Sequence, residues 1–343
     1  MKIYVPEYYN HFKCIAEKCK DNCCIGWGID IDESSLEKYK NLKNPEGERI
    51  LSTIDFSDGA SFITDGQGRC KNLDERGLCR IISALGEGYL CQICRDHPRY
   101  FNCEFGRCEG GLGLACEEAA RLIFSLDHLP EKVEIESDEI EYLWDDGDSQ
   151  FAFSARDYML ELTFDESLSA EDKIQRLMSL AYHTDELLFD IQCGTASDSE
   201  AKPFLLAKSP ANLEPAKFIE ESISIFENLD MLSAEYEKDF YEKITRVRAN
   251  PTALLEFLNG QGEGCFTRLL YYFIHRYFLS AEGQLTDNMR LCLALALAVS
   301  AEIFVNDKIS DPVTTAKDFS KNIEYSTDNI STLLEKIELM QIM

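Results

Sequence analysis

Cysteines constrain this chain more than any other residue type, because most of them are concentrated in its first third. Eleven of the fourteen cysteines in the 343 residues lie at or before Cys116. They form three groups, namely Cys14-x4-Cys19-x3-Cys23-Cys24, Cys70-x8-Cys79-x11-Cys91-x2-Cys94 and Cys103-x4-Cys108-x7-Cys116. The other three, Cys193, Cys265 and Cys292, stand alone in helical-looking sequence, where a thiol packs as a small apolar group.

The N-terminal sequence, MKIYVPEYYNHFKC, has neither the apolar run nor the small-residue cleavage site of a secretory signal. We therefore expect a cytoplasmic protein, in which reduced thiols are the rule and a disulfide framework is disfavoured. Dense cysteines in such a chain are more often metal ligands or redox groups. Four converging thiolates suit zinc or an iron–sulfur cluster, and soft sulfur disfavours calcium and magnesium.

The spacing leaves the kind of centre open. A zinc ribbon needs two CxxC pairs, and here there is one such pair, Cys91 with Cys94. The Cys-x3-Cys-x2-Cys loop of radical enzymes begins at Cys19 but has Gly26 where its third cysteine belongs. His97 is either a ligand, a base or an ordinary surface residue. Residues 109–113 match the letters of the E-x-G-x-G motif of Rossmann methyltransferases, but no convincing strand precedes them.

The charge of the chain limits its partners. A formal net charge of −28 repels both nucleic-acid phosphates and anionic membrane surfaces. The acidity is concentrated in residues 121–343, which carry a net −23, against −5 in residues 1–120. The most apolar stretch, residues 291–300, is shorter than the roughly 20 residues of a membrane span. We expect a buried helix there, and no nucleic-acid or membrane partner.

We predict a mainly α fold in three parts. A cysteine-rich metal or iron–sulfur module covers residues 1–128, an acidic linker covers 129–150, and an all-helical region covers 151–343. The linker contains nine acidic residues, and its segment 132–140 alternates apolar and acidic residues as a short strand does.

The apolar periodicity predicts helices over 33–51, 78–90, 115–126, 155–163, 170–191, 214–228, 234–249, 266–280, 287–305 and 327–340. Ser169 and Thr286 are the predicted N-caps of two of them. Residues 53–68 are a hairpin or a loop, and residues 193–213 are predicted to be an exposed loop.

Five motifs follow one another along the first third of the chain, namely YVPEYYNHFKC, Cys19-x3-Cys23-Cys24-x-Gly-Trp, CKNLDERGLC from Cys70, LGEGYLCQICRDHPR and LGLACEEAARLI. Together these motifs resemble the flagellin lysine-N-methylase family (FliB-like). The likeness is ordered along residues 1–125 and reappears in RLLYYFIHRYF over 268–278. The cysteine part also resembles the YkgJ-type cysteine-cluster proteins.

Carried over residue by residue, the resemblance implies nine metal-ligand cysteines. Cys103 and Cys108 fall where the family pattern requires no cysteine, and Lys71 replaces its usual proline. Nine thiols exceed the needs of one four-cysteine centre, so either two centres exist or some thiols have other roles. The implied ligands are Cys14, Cys19, Cys23, Cys24, Cys70, Cys79, Cys91, Cys94 and Cys116.

The resemblance also implies an activity, which is transfer of methyl groups from S-adenosylmethionine to lysine ε-amino groups of flagellin or a similar protein. The implied cofactor is an iron–sulfur cluster of the 4Fe-4S type, with zinc as the alternative. The aromatic residues Tyr271, Tyr272, Tyr277 and Phe278 would either line a lysine channel or pack in the core. The alternative function is a non-catalytic metal-binding or electron-transfer protein. The residues do not identify the catalytic base or the methyl-donor pocket.

Overall fold

The computed structural model describes residues 2–136, 150–196, 213–280 and 284–342. The chain divides into two compact units, and each consists of separate segments. We call Phe12–Tyr100 with Leu112–Ala119 the cysteine-rich unit; Met1–His11, Phe101–Gly111 and Ala120–Met343 make up the helical unit. This division differs from the single predicted boundary at 129–150, because strand pairing joins the N-terminus to segments far along the chain.

The strands are β1 Lys2–Pro6, β2 Ile54–Asp55, β3 Ser61–Phe62, β4 Arg99–Glu104, β5 Arg107–Leu112 and β6 Lys132–Glu136. The helices up to residue 163 are α1 Glu33–Asn41, α2 Pro45–Leu51, α3 Arg80–Leu85, α4 Gln92–Asp96, α5 Glu117–Phe124 and α6 Gln150–Thr163. The later helices are α7 Ala170–Gln192, α8 Pro215–Ser224, α9 Ala234–Ala249, α10 Pro251–Leu258, α11 Glu263–Tyr277, α12 Leu285–Val305, α13 Pro312–Phe319 and α14 Thr327–Ile342.

In the cysteine-rich unit the helix predicted over 33–51 is two helices. Asp32 caps α1 by accepting a hydrogen bond from the Ser35 backbone N–H, and Asn44 caps α2 in the same way from Gly47. Pro45 occupies the first turn of α2, where its missing N–H costs nothing but where a continuous helix would be broken. Of the two alternatives for residues 53–68, a hairpin or a loop, the structure has the hairpin, in which β2 and β3 pair antiparallel.

This unit has a small core of its own. Tyr39 is fully buried, and its hydroxyl donates a hydrogen bond of 2.7 Å to the carbonyl oxygen of Tyr89. Two of the cysteines belong to the core, so sulfur contributes to the packing as well as to any ligand set. The buried members are Ile29, Ile31, Tyr39, Ile50, Ile54, Phe62, Cys70, Ile81, Leu90 and Cys91.

The helical unit contains a four-stranded sheet in the order β4-β5-β1-β6. Strand β1 pairs in parallel with β5 and antiparallel with β6, so Ile3 lies opposite both Cys108 and Ile135. Strands β4 and β5 are joined by a two-residue turn in which Phe105 and Gly106 have φ values of 50° and 76°. Positive φ at both positions is the mark of a type I′ hairpin. The strand predicted from residue 132 is confirmed over Lys132–Glu136, and residues 137–140 lie outside the described ranges.

Beyond residue 150 all the regular elements in the described ranges are helices, which confirms the mainly α prediction for this region. Helix α12 is its centre, with the run from Leu291 to Ile303 buried throughout. The predicted buried helix is therefore confirmed, although its apolar stretch is longer than expected. By length and composition alone α12 is a candidate membrane span, but 83% of its most apolar window is buried inside the protein. Such burial is that of a core helix.

Helix ends test the capping predictions. Ser169 accepts from Asp172 N–H and forms a complete capping box with the Asp172 side chain, as predicted. The prediction that Thr286 caps α12 is wrong. The helix begins at Leu285, two residues before the predicted start at 287, and the Thr286 backbone N–H donates to Asp185 instead. Helices α10 and α13, each with proline in the first turn, were missed. Most of the predicted loop 193–213 lies outside the described ranges.

Candidate metal centre

The folding of the cysteine-rich unit brings most of the predicted ligands into one neighbourhood. Two adjacent cysteines of the first group face three cysteines of the second, close enough for each sulfur to affect the ionisation of others. We call this set the thiol group, and its members are Cys23, Cys24, Cys79, Cys91 and Cys94. Every member was predicted from the sequence as a metal ligand.

Backbone hydrogen bonds hold the loops that carry these sulfurs. The N–H of Cys70 donates to the carbonyl oxygen of Cys24 at 2.9 Å, which joins the first cysteine loop to the second. Asn22 braces the same place: its side chain accepts from Cys24 N–H at 2.9 Å and donates to Gly77 O at 2.6 Å. Trp27 Nε1 donates to the Cys23 carbonyl oxygen at 2.6 Å. No sequence motif pointed to Asn22, because its role depends on a partner 55 residues away.

Three cysteines stand directly before helices. Cys79 precedes α3, Cys91 precedes α4 and Cys116 precedes α5. Backbone N–H groups of the following turn donate to the sulfurs of Cys79 and Cys116 and oppose the rise in pKa that burial causes there. Backbone N–H groups at a helix start favour the thiolate form, which is the form that binds metals.

The thiol group resists complete ionisation. The pKa of Cys24 is raised mainly by its hydrogen bond with Cys23 and next by burial. The nearby sulfurs of Cys79 and Cys94 raise it further. A hydrogen bond between Cys94 and Cys91 raises the pKa of Cys94 and lowers that of Cys91. Like charges close together disfavour each other, so a bound cation would stabilise this set of thiolates strongly.

Two further predicted ligands lie beside Cys23. Burial raises the pKa of Cys116 to about 12, and the sulfurs of Cys19 and Cys23 add to that rise. Burial likewise raises the pKa of Cys19 to about 11. The Cys19 thiol donates to Glu117 Oε2 at 3.6 Å, and the backbone N–H of Lys20 donates to the same oxygen at 2.6 Å. Glu117 is a residue that the cysteine pattern alone did not point to.

The remaining cysteines divide differently. Cys70 is buried in the core of the unit, where it accepts from the Asn72 backbone N–H at 3.5 Å. Cys14 is exposed, and none of the described contacts of the thiol group involves it. Cys103 and Cys108 form a disulfide across the β4–β5 hairpin. The expectation that disulfides are disfavoured is therefore corrected at this one pair, since the hairpin places the two residues opposite each other.

The donor chemistry of the unit fits a sulfur-bound group. Within the described ranges, no three His, Cys, Asp or Glu side chains are already arranged around one point as a metal site requires. The thiol group nevertheless supplies soft donors, and Arg49 supplies a positive charge that favours the thiolate form of Cys79. Arg49 Nη2 is buried and has no hydrogen-bond partner among the described residues, so it is available to an anionic cluster or its sulfur atoms.

The structure also shows the environment of His97 and of the aromatic residues that the sequence analysis singled out. His97 follows α4, and its ring lies 6.3 Å from that of Trp27. In the helical unit, Tyr271 and Tyr272 are almost fully buried, and Phe278 is fully buried. Their burial supports the core-packing interpretation of these aromatics over a lysine channel.

Two curated relatives of this chain are named lysine-N-methylase. The protein of Salmonella choleraesuis is 30% identical over 127 residues, a match covering 35% of this chain and 32% of the relative. The protein of Salmonella typhimurium is 29% identical over 127 residues, with the same 35% and 32% coverage. The chain therefore spans about a third of the length of these two relatives.

The structure combines a cysteine-rich unit with a mainly helical unit that also contains a four-stranded sheet. A third relative, the flagellar biosynthetic protein FliU of Salmonella muenchen, is 30% identical over 127 residues, and the match covers 75% of its length and 35% of this chain. The chain belongs to the family of FliU. No family model and no solved structure matches it.

Proposed function

We propose that this protein methylates lysine ε-amino groups of flagellin or a similar protein, with S-adenosylmethionine as methyl donor. The observation that carries the proposal is the similarity over 127 residues to proteins named lysine-N-methylase and to a flagellar protein. The grouping of the cysteines supports the second part of the proposal, which is that the cysteine-rich unit holds an iron–sulfur cluster of the 4Fe-4S type.

The proposed reaction sets clear chemical demands. The lysine nitrogen attacks the methyl carbon of the sulfonium, the N–C bond forms as the S–C bond breaks, and the lysine must lose one proton. A free lysine has a pKa near 10.4, so either burial must lower that pKa or a base must accept the proton before the attack. Nitrogen, carbon and sulfur must lie in line, which is a task of positioning.

Charge and donor chemistry support the substrate part and the cluster part of the proposal. Residues 121–343, with their net charge of −23, attract a lysine-bearing surface. In the cysteine-rich unit, Cys23, Cys24, Cys79, Cys91 and Cys94 would hold the cluster, with Cys19, Cys70, Cys116 and the exposed Cys14 as further candidates. When bound, such a cluster supplies a rigid cross-link between loops and a redox couple. The proposed methyl transfer itself consumes no electrons.

Mass spectrometry of flagellin incubated with the purified protein and methyl-labelled S-adenosylmethionine tests the proposal. We expect lysine peptides to gain the mass of one or more labelled methyl groups, each replacing a hydrogen. The matched control is flagellin whose lysines have been acetylated, which removes the nucleophile and should abolish labelling. An intact, metal-loaded protein that transfers no label to unmodified flagellin would contradict the proposal.

The alternative is a non-catalytic metal-binding or electron-transfer protein. The observation that favours it is that the thiol group lies in a unit with its own core. An electron carrier would show a reversible redox couple without methyl transfer, and a metal carrier would release its metal readily to a chelator. Neither would bind S-adenosylmethionine.

A further inference from the structure

The helical unit contains a second concentration of charge, separate from the cysteines. Arg156 and Glu109 form a buried two-pronged pair, with Nη1 and Nη2 at 2.5 and 2.9 Å from the two carboxylate oxygens. Lys132 contacts Asp157 at 2.5 Å and lies 3.8 Å from Glu109. Arg107 Nη2 lies 3.0 Å from Glu109 Oε1. We call these five residues the charge cluster.

Cations outnumber carboxylates in the charge cluster, three to two, although the whole protein carries −28. The pKa shifts of Glu109 and Lys132 both reflect the neighbouring positive charges. Burial would raise the pKa of Glu109, but Arg156 and other neighbouring cations lower it to about 2. Burial and then the like charge of Arg156 lower the pKa of Lys132. A local positive surplus inside a strongly acidic protein is a feature that solubility does not explain.

Arg107 is one of three partly exposed members of the cluster, with Lys132 at 29% and Asp157 at 39% exposure; those two pair with each other at 2.5 Å. The Arg107 side chain is 26% exposed, whereas those of Arg156 and Glu109 are 1% and 6% exposed. The guanidinium lies over the rings of Tyr4 and Phe153, at 4.0 and 4.7 Å from their centroids. These stacking contacts fix its plane while leaving its edge for hydrogen bonding.

One donor on that edge is unused. Arg107 Nε is buried, and it has no hydrogen-bond partner within the described ranges. A buried donor without an acceptor is costly, and a ligand oxygen is one partner that would remove this cost.

We propose that Arg107 binds the carboxylate of an amino-acid-type ligand, and that this ligand is the methionine part of the methyl donor. This inference rests on the proposed function. A carboxylate matches the planar guanidinium fork and brings the single negative charge that balances the cluster.

Calorimetric titration with two nucleosides tests the proposal directly. S-adenosylmethionine and decarboxylated S-adenosylmethionine differ in the carboxylate alone and share the sulfonium, the adenosine and the amino group. We expect the native protein to bind the first roughly tenfold or more tightly. In Arg107→Gln the two affinities should become similar, and Arg107→Lys should restore part of the difference, because it keeps the charge but not the fork.

The matched control is Arg248→Gln, which removes an exposed arginine paired with Glu227 in the same unit and should leave both affinities unchanged. Thermal unfolding confirms that each variant is folded. If the native protein binds both nucleosides equally well, the inference about Arg107 fails while the proposed function stands. The inference also fails if a folded Arg107→Gln protein keeps the tenfold preference. If the native protein binds neither nucleoside, the proposed function fails together with the inference.

Discussion

The two units of this protein are stabilised in different ways. The helical unit buries long apolar helices, of which α12 is covered almost completely. The cysteine-rich unit has short elements, the longest being the nine residues of α1, and a core of ten buried residues that includes Cys70 and Cys91. Much of its remaining order comes from loops braced by hydrogen bonds such as those of Asn22.

This difference teaches which perturbations each unit should resist. A large apolar core survives changes at single surface positions but is sensitive to a buried charge left without its partner. A unit with a small core commonly depends on cross-links, which metals or disulfides supply. We therefore expect the stability of the helical unit to follow packing and internal ion pairs, and that of the cysteine-rich unit to follow its thiols.

The largest single-residue effect is expected at the Arg156–Glu109 pair. Arg156→Met leaves the Glu109 carboxylate buried without its two-pronged partner and should lower the free energy of unfolding of the helical unit by about 3–5 kcal/mol. Chemical denaturation measures the loss. The double variant Arg156→Met/Glu109→Gln is the control, and it should recover a substantial part of the stability because the buried side chain at position 109 is then uncharged. A loss below about 1 kcal/mol in the single variant would show that the pair is not essential.

Acid should weaken the helical unit through His275. Burial, and after it the charge of Arg156, lowers the pKa of His275 from 6.5 to about 4, with Glu109 and Asp157 opposing and Lys132 adding to that shift. Because the unfolded chain then binds the proton more tightly, stability from this residue is constant above about pH 7 and falls as the pH decreases from 6.5 to 4. The full effect is about 3 kcal/mol.

Denaturation curves at several pH values measure this dependence. His275→Gln removes the titrating group, so its free energy of unfolding should change less between pH 7 and pH 5 than that of the native protein. His128→Gln is the control at an exposed histidine. Equal slopes in the native protein and His275→Gln would contradict the assignment.

A smaller effect is expected at the start of α7. Ser169→Ala removes the hydroxyl that accepts from the Asp172 backbone N–H, keeps the backbone N–H that donates to the Asp172 side chain, and should cost about 1 kcal/mol. Ser224→Ala, which removes a hydroxyl bonded to a carbonyl within α8, is the matched control and should cost less. The melting temperature reports both changes. If the two variants melt together, the cap contributes no more than an ordinary surface hydroxyl.

Local signals account for what the sequence predicted well. The amphipathic pattern of residues 234–249 gave both ends of α9, and Ser169 marked the start of α7 because its cap partners are three residues away. Helices α10 and α13 were missed because their initial prolines look like loop signals, although proline is well tolerated in a first helical turn.

Non-local pairing accounts for what was missed. Strand β1 pairs with residues more than a hundred positions away, and no short-range pattern encodes that choice. The same holds for the pair of Arg156 with Glu109, 47 residues apart. Among the cysteines, the residue type and spacing indicated a common site, and the family pattern already set Cys103 and Cys108 apart from it. Only the folded loops separate the exposed Cys14 from the thiol group and place Cys103 against Cys108.

The central claim is that the thiols of the cysteine-rich unit hold an iron–sulfur cluster, and its most direct test is metal and acid-labile sulfide analysis of anaerobically purified protein. We expect a brown protein with iron and sulfide in similar amounts, both largely lost in Cys24→Ser/Cys94→Ser and retained in Cys193→Ser, whose cysteine is exposed in the helical unit. Colourless native protein containing stoichiometric zinc, or containing no metal when purified without oxygen, would contradict the claim.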